Sequence, residues 1–335
     1  VERLAEVEGI GQKRIKTIQA AWQDQREIRD VMIFLQAHGV GAGYAQKIFR
    51  RYGRQSVTVV TENPFRLATD IEGFGFLTAD RIAAKLGFPA ESPLRITAGV
   101  LYVLDKLSQE GHVYYPYEAL ISECRKTLSV EIETVAGAIA DLARNDRIII
   151  EDTNKDPGPF EANRRAVYLK SFYVCETGIA HRIGRLSAAP KSCRQIQVDR
   201  ALPWVQQRLA MELADDQVSA VRAALEEKVL VITGGPGTGK TTIVNAVLQI
   251  FSRIGATALL AAPTGRAAIR LAETCGREAV SIHRVLEFSM GRRGFQRSEQ
   301  NPLDADLLVI DEASMIDTVL MYHLLKAVPA GATLI

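Results

Sequence analysis

The sequence predicts a multidomain chain: all-α helix-hairpin-helix repeats, then a small winged-helix-like α+β unit, then an α/β P-loop domain. Three observations carry this. A glycine-bracketed turn recurs three times near the N-terminus. Three helical periods then lead into an apolar run at Ile148-Ile149-Ile150. Beyond residue 204, short apolar strands alternate with helices.

The repeats come first. Val7-Glu8-Gly9-Ile10-Gly11, Ala37-His38-Gly39-Val40-Gly41 and Ile71-Glu72-Gly73-Phe74-Gly75 each set two glycines around one apolar residue. Each precedes apolar residues at helical spacing: Ile15 and Ile18; Ala45, Ile48 and Phe49; Ala79, Ile82 and Ala83. Tyr52-Gly53 and Leu86-Gly87 read as helix stops, since glycine accepts the left-handed geometry that closes a helix. Short helix, glycine turn and short helix make each unit. Backbone N–H groups at Gly9, Gly11, Gly39, Gly41, Gly73 and Gly75 can then meet DNA phosphates without reading sequence. Lys13, Arg14 and Lys16 add charge to the first unit, and Lys47, Arg50 and Arg51 to the second. The third has Arg81 and Lys85 but also Glu72 and Asp80, which suits a structural role; for each of the three units a packing element is the alternative to a DNA contact.

From Ser92 the texture changes. Helical periods cover Ile96 to Gln109, Tyr117 to Leu128 and Ile132 to Asn145. Strands follow at Ile148 to Ile150 and Ala166 to Leu169, separated by a polar loop from Asp152 to Pro159. Ala188 to Pro203 has two prolines and little helical period, which suggests a linker. The expected domains are therefore 1–91, 92–187, a linker at 188–203, and 204–335.

In the last domain, strands are expected at Val229 to Thr233, Ala256 to Ala261, Leu307 to Ile310 and from Thr333 onward. Gly234-Gly235-Pro236-Gly237-Thr238-Gly239-Lys240-Thr241 fits the P-loop pattern between an apolar strand and a helix marked by Ile243, Val244, Val247 and Leu248. Glycines let several N–H groups turn inward onto phosphate oxygens, and the helix N-terminus adds its dipole. Residues 235–242, through Thr242, thus form the nucleotide cradle. Lys240 supplies charge for the β and γ phosphates, and the Thr241 hydroxyl is a Mg²⁺ ligand. The second acidic element is Leu307-Leu308-Val309-Ile310-Asp311-Glu312. There Asp311 holds the metal through water and Glu312 orients or deprotonates the attacking water.

Bulk properties exclude little. With 41 basic and 39 acidic residues the net charge is +2, which neither requires nor forbids a nucleic-acid partner. Cys124, Cys175, Cys193 and Cys275 lie far apart without a CxxC pair, which argues against a zinc cage. No apolar run approaches a membrane span, and a reduced, cytoplasmic setting is the default. Val1 and the apolar run ending at Ile335 make both termini read as cut.

Further segments narrow the class. Leu213-Ala214-Asp215-Asp216-Gln217 precedes the P-loop, and Pro263-Thr264-Gly265-Arg266 follows the second strand. Next come Ser281-Ile282-His283-Arg284 and Asp311-Glu312-Ala313-Ser314-Met315-Ile316-Asp317. In this order they resemble superfamily 1 helicases of the RecD-like group, whose stand-alone bacterial branch also carries N-terminal Gly-x-Gly repeats. The resemblance implies that the last domain is RecA-like and uses ATP with Mg²⁺. It implies that Gln217 reads the adenine edge. It implies that Pro263, Thr264, Gly265, Arg266, Ser281, His283 and Arg284 touch DNA, although Thr264 equally suits a helix cap. It also implies that a hairpin near 287–300, around Gly291-Arg292-Arg293-Gly294-Phe295, splits the duplex; a basic surface loop is the alternative.

The implied activity is ATP-driven, 5′-to-3′ translocation on single-stranded DNA and unwinding at fork junctions, in repair or recombination. The competing reading is a DNA-binding adaptor with a switch-like ATPase. The family's next motif, a Gly-Asp-x-x-Gln stretch, and a second RecA-like domain with its catalytic arginine are not in these 335 residues. The expectation is that residues 1–335 alone neither hydrolyse ATP appreciably nor unwind DNA.

Overall fold

The computed structural model describes residues 16, 28–153, 164–235, 237–289, 291 and 294–335. Gly9, Gly11, Lys13, Arg14 and the rest of the first repeat turn lie outside the described residues, as do Pro236, Arg292 and Arg293. The chain divides into two compact units, Val1–Lys170 and Ser171–Ile335.

The first unit begins with helix α1 (28–37). Then follow α2 (Ala42–Tyr52), α3 (Ser56–Glu62), α4 (Arg66–Asp70) and α5 (Phe76–Lys85). The turns before α2 and α5 are built alike. Gly39 and Gly73 take φ of 85° and 79°, a region where a Cβ costs roughly 1–2 kcal/mol. Val40 and Phe74 plug the core at 2% exposure each. Gly41 and Gly75 then serve as extended N-caps with no side-chain cap. Gly53 closes α2 at φ 57° and Gly87 follows α5 at φ 81°, as the helix stops require.

The same unit continues with α6 (Pro93–Gln109), β1 (Tyr114–Pro116), α7 (Tyr117–Leu128), α8 (Ile132–Arg144), β2 (Ile148–Asp152) and β3 (Arg165–Leu169). The three expected helices and two strands are present. Strand β1 is an addition: at three residues it is too short to carry a period. The sheet order is β1-β3-β2, all antiparallel.

A division at 91/92 is not a division in packing. One buried apolar cluster runs from Val31 to Val167. Phe76 of α5 stacks on Phe65 and on Tyr102 of α6, with centroids at 5.9 and 5.1 Å. Burying a ring such as Phe76 contributes about 1.5–3 kcal/mol, so the glycine-turn helices and the α+β part hold each other folded.

Beyond the unit boundary run α9 (Lys170–Ala188), α10 (Val198–Leu209), α11 (Asp215–Glu226), α12 (Lys240–Arg253), β4 (Ala258–Ala262) and α13 (Gly265–Cys275). They are followed by β5 (Ala279–Ser281), α14 (Ile282–Val285), β6 (Leu307–Ile310), α15 (Thr318–Ala327) and β7 (Thr333–Leu334). The sheet is parallel with order β5-β4-β6-β7.

Three expectations change here. The linker shortens to 189–197, because α10 starts at Val198 and tolerates Pro203 on its exposed side while burying Leu202 and Val205. That segment is pinned: Ser192 N–H donates to Gly331 O at 2.8 Å, and Ser192 Oγ donates to Asp306 Oδ1 at 2.7 Å. The expected strand at Val229 to Thr233 reduces to one parallel bridge, Val229 to Leu334, since β7 offers only two paired residues. The expected hairpin at 287–300 appears, among the described residues, as two isolated antiparallel bridges, Ser289 to Gly294 and Ser298 to Asn301. Among the described residues no ladder extends between the two bridges.

Candidate nucleotide and nucleic-acid site

The nucleotide site grows from the α/β topology. Each parallel strand ends at the same edge of the sheet, where loops and helix N-termini gather. Ala261 of β4 is in register with Ile310 of β6, and Ala262 of β4 with Ser281 of β5. The segments that follow these residues, 263–266, 281–284 and 311–312, therefore emerge side by side.

In the P-loop, Gly237 and Gly239 take φ of 77° and 84°. The curl brings Thr238 Oγ1 to donate to Gly235 O at 2.9 Å. Lys240, the first residue of α12, folds back so that Nζ donates to Gly234 O at 2.5 Å and Gly235 O at 2.9 Å. The ammonium thus sits over the loop that its sequence position predicts. Gln217 spans two elements: its Oε1 accepts from Ala214 N–H at 3.2 Å, and its Nε2 donates to Thr238 O at 3.3 Å. A Cβ on Gly239 would collide with that carboxamide. Gln217 is therefore a brace between the start of α11 and the P-loop. Thr241 and Thr242, in the first turn of α12, are half-buried.

At the end of β6, Asp311 N–H donates to Ala261 O at 3.0 Å. Asp311 Oδ1 accepts from Glu312 N–H at 2.9 Å. Glu312 is exposed and holds a left-handed φ of 54°. A non-glycine residue there costs roughly 1–2 kcal/mol, and such strain concentrates at functional sites. Sequence reading cannot see this signal. Nearby, burial pushes the Cys275 thiol up, with the charge of Asp311 adding to the effect.

Of the segments expected to touch DNA, Pro263 is half-buried and Thr264, Gly265 and Arg266 are exposed. Thr264 Oγ1 accepts from Ala267 N–H at 3.2 Å, the cap of α13. Ser281 Oγ accepts from Arg284 N–H at 3.4 Å, the cap of α14. Both hydroxyls have structural work already. Arg266 and Arg284 are exposed, and among the described residues no carboxylate pairs with either. The His283 ring packs against Phe288 and Phe295, with centroids at 6.0 and 5.7 Å. From sequence these two phenylalanines read only as part of the expected hairpin segment, because one aromatic beside a glycine turn does not reveal that its ring meets His283.

In the first unit the turn residues Gly41, Gly73 and Gly75 are exposed. The two described turns lean on each other. Tyr44 Oη donates to Gly73 O at 2.8 Å, and Lys47 Nζ donates to Glu72 O at 3.2 Å. Lys85 returns the contact, its ammonium lying where a Cβ on Gly39 would be. Asp80, one of the acids that argued against the third turn, is neutralised by Arg95 at 2.7 and 3.1 Å.

Comparison with known proteins decides the family. Residues 217–335 match the model of an AAA domain, and residues 24–114 match the HHH domain of ATP-dependent RecD2 DNA helicases. The chain is 32% identical over 338 residues to the ATP-dependent RecD2 DNA helicase of Deinococcus radiodurans, covering 99% of this chain and 46% of that protein.

The chain belongs to the RecD-like helicase family.

Within it, the RecBCD enzyme subunit RecD of Mycobacterium tuberculosis H37Rv is 41% identical over 144 residues, or 36% of this chain and 25% of that subunit. The ATP-dependent DNA helicase dda of Enterobacteria phage T4 is 33% identical over 135 residues, 37% of this chain and 31% of that protein. The chain thus spans less than half the length of these relatives. The family assignment fits the residues present: a glycine curl, an ammonium and two hard oxygen donors, Thr241 and Asp311, suit a nucleotide triphosphate with Mg²⁺. Among the described residues no helix is long and apolar enough to cross a membrane, and no cluster of metal-binding side chains lies elsewhere.

Proposed function

We propose that this chain carries the ATP site and part of the DNA track of an ATP-dependent helicase that moves 5′ to 3′ along single-stranded DNA and opens fork junctions. The observation that supports it best is the register of β4, β5 and β6. It brings Asp311 and Glu312, which follow β6, to the same sheet edge as the segments carrying the exposed Arg266 and Arg284, and this supports a coupling of nucleotide state to DNA contact.

The roles follow from chemistry. The N–H groups at Gly235, Pro236's neighbours Gly237 and Thr238, Gly239 and Lys240 cradle the phosphates. The Lys240 ammonium exchanges its carbonyl partners for phosphate oxygens. Thr241 and Asp311 hold Mg²⁺, which when bound neutralises charge on the β and γ oxygens. Glu312 takes the proton of the attacking water. Gln217, through the carboxamide that braces the loop, reads the adenine edge and signals occupancy to the P-loop. Arg266, Arg284 and the turn backbones at Gly39–Gly41 and Gly73–Gly75 hold DNA phosphates, with Pro263, Thr264, Gly265, Ser281 and His283 shaping the track. Domain divisions at 91/92 and 187/188 then describe units of function rather than of packing.

The test is strand displacement by the intact protein on duplexes with a single 5′ or 3′ tail. Unwinding from the 5′ tail alone is the expected result. DNA-stimulated hydrolysis without unwinding from either tail would instead favour a switch-like adaptor.

A further inference from the structure

The ring cluster beside Arg284 is an exposed feature that nucleotide chemistry does not use. Phe288 is 50% exposed, yet its backbone is held from several sides. Glu287 before it takes a left-handed φ of 53°, and its carboxylate pairs with Arg297 at 2.7 Å. Phe288 N–H donates to His283 O at 3.0 Å, while Gln296 and Arg297 N–H both donate to Leu286 O at 3.0 and 3.2 Å. The ring meets His283 at an interplanar angle of 82° and Phe295 at 61° with centroids 5.2 Å apart. Phe295 in turn rests on His323 at 4.8 Å. The segment tolerates strain to fix an aromatic ring that water still reaches.

The neighbours say what fits on it. Arg284 lies four residues before Phe288, in the short helix that follows β5, and Arg266 follows the in-register end of β4. No carboxylate among the described residues neutralises either arginine. A rigid aromatic ring with unpaired guanidinium groups nearby complements a nucleotide taken out of a helix: a π face for the base and cations for its phosphates. A lone ring does not make a membrane-binding surface, and an apolar protein partner leaves the arginines unused.

We propose that Phe288 is a stacking ledge for one nucleobase of single-stranded DNA, buttressed by His283 and Phe295, with Arg284 taking the adjoining phosphate. This rests on the DNA-binding reading above and adds to it a contact that recognises bases rather than backbone. Because every base has a π face, the ledge is tolerant of sequence.

The experiment compares oligothymidine with a fully abasic oligonucleotide of equal length, bound to the intact protein and read by fluorescence anisotropy. Phe288→Ala weakens oligothymidine binding by about 5- to 150-fold, the span of one base–aromatic stack, and changes abasic binding by less than about twofold. Phe288→Trp keeps the preference for oligothymidine, whereas Phe288→Leu, apolar without a π face, loses most of it. The salt dependence stays as in the unaltered protein for all three variants, because no phosphate contact is lost. Unchanged oligothymidine binding by Phe288→Ala, or an equal loss on both oligonucleotides, overturns the ledge alone. If the unaltered protein binds neither oligonucleotide, the DNA reading and the ledge fall together.

Discussion

Two regions of this chain place a glycine in left-handed geometry just before a helix, and they differ in where the positive charge comes from. In the P-loop, Gly237 and Gly239 curl the backbone, and Lys240 stands on the very next residue, its Nζ 2.5–2.9 Å from the loop carbonyls. In the N-terminal turns, Gly39 and Gly73 do the curling, but the lysines are borrowed across: Lys85 lies on the Gly39 turn and Lys47 on the Gly73 turn. A charge fixed by the next residue marks one point in space and suits one terminal phosphate group. Charges lent by a neighbouring helix are spread out and suit a polymer of phosphates read without sequence.

The sharpest test of that contrast is Lys240→Ala. Hydrolysis of ATP by the intact protein should be abolished while the thermal unfolding transition stays in place, since the side chain is a surface group bonded only to its own loop. Glu312→Gln should retain ATP binding and lose turnover by about 10²–10⁴-fold, because a carboxamide cannot accept the proton from water. Tight binding by the first variant would show that the point charge is not what the P-loop needs.

Glycine substitutions come next in size. Gly39→Ala meets both a positive φ and the Lys85 ammonium, so it should cost about 1–2 kcal/mol and lower the unfolding temperature by several degrees. Gly41→Ala has open space and an ordinary φ of −61°. It should leave stability within about 0.5 kcal/mol yet weaken DNA binding by covering the turn backbone. If the two variants behave alike in unfolding, the turns are not organised as described.

Charge borrowing is checked by Lys85→Ala, which should reduce the slope of log affinity against log salt by about 1 and weaken binding evenly across sequences. An unchanged slope would show that Lys85 lends no charge to DNA at the Gly39 turn. Deleting residues 1–87 is a poorer test, because Phe65 and Phe76 are shared with the core built on α6.

The smallest expected effect concerns Tyr52. Burial, together with its hydrogen bond to Asp70 at 2.7 Å, pushes its phenol up to about 12 from an ordinary 10.0. The folded value lies above the unfolded one, so the stability it adds is full below pH 10 and is lost as pH rises toward 12. Tyr52→Phe should flatten unfolding free energy across that window, and the ultraviolet titration of the intact protein should lose a late phenol. A Tyr52 that ionises near 10 would remove the effect.

Much was legible in the linear order because some chemistry is local. The P-loop's glycines, Lys240 and Thr241 lie within eight residues of one another, and the buried strand β6 delivers Asp311 directly. Helices α6 to α8 announced themselves by period, since each buries one face against the others. The twin glycine turns were visible as repeats for the same reason: three consecutive residues, Gly39-Val40-Gly41 or Gly73-Phe74-Gly75, make the centre of each turn.

Other features depend on which strands pair and which turns meet. Sequence could not show that Ala262 and Ser281 end in register, bringing Arg266 and Arg284 to one edge. It could not place Lys85 on a turn 46 residues earlier, or Phe288 against His283 and Phe295. The strained φ of Glu312 and Glu287 is likewise invisible in the letters, because a glutamate leaves αL unless its surroundings hold it there. The sequence by itself determined the phosphate chemistry, the family motifs and the helical periods, all set by neighbours along the chain. Only tertiary packing decided where the charges converge and that the N-terminal turns share one core with α6, because these follow from contacts between residues far apart in sequence.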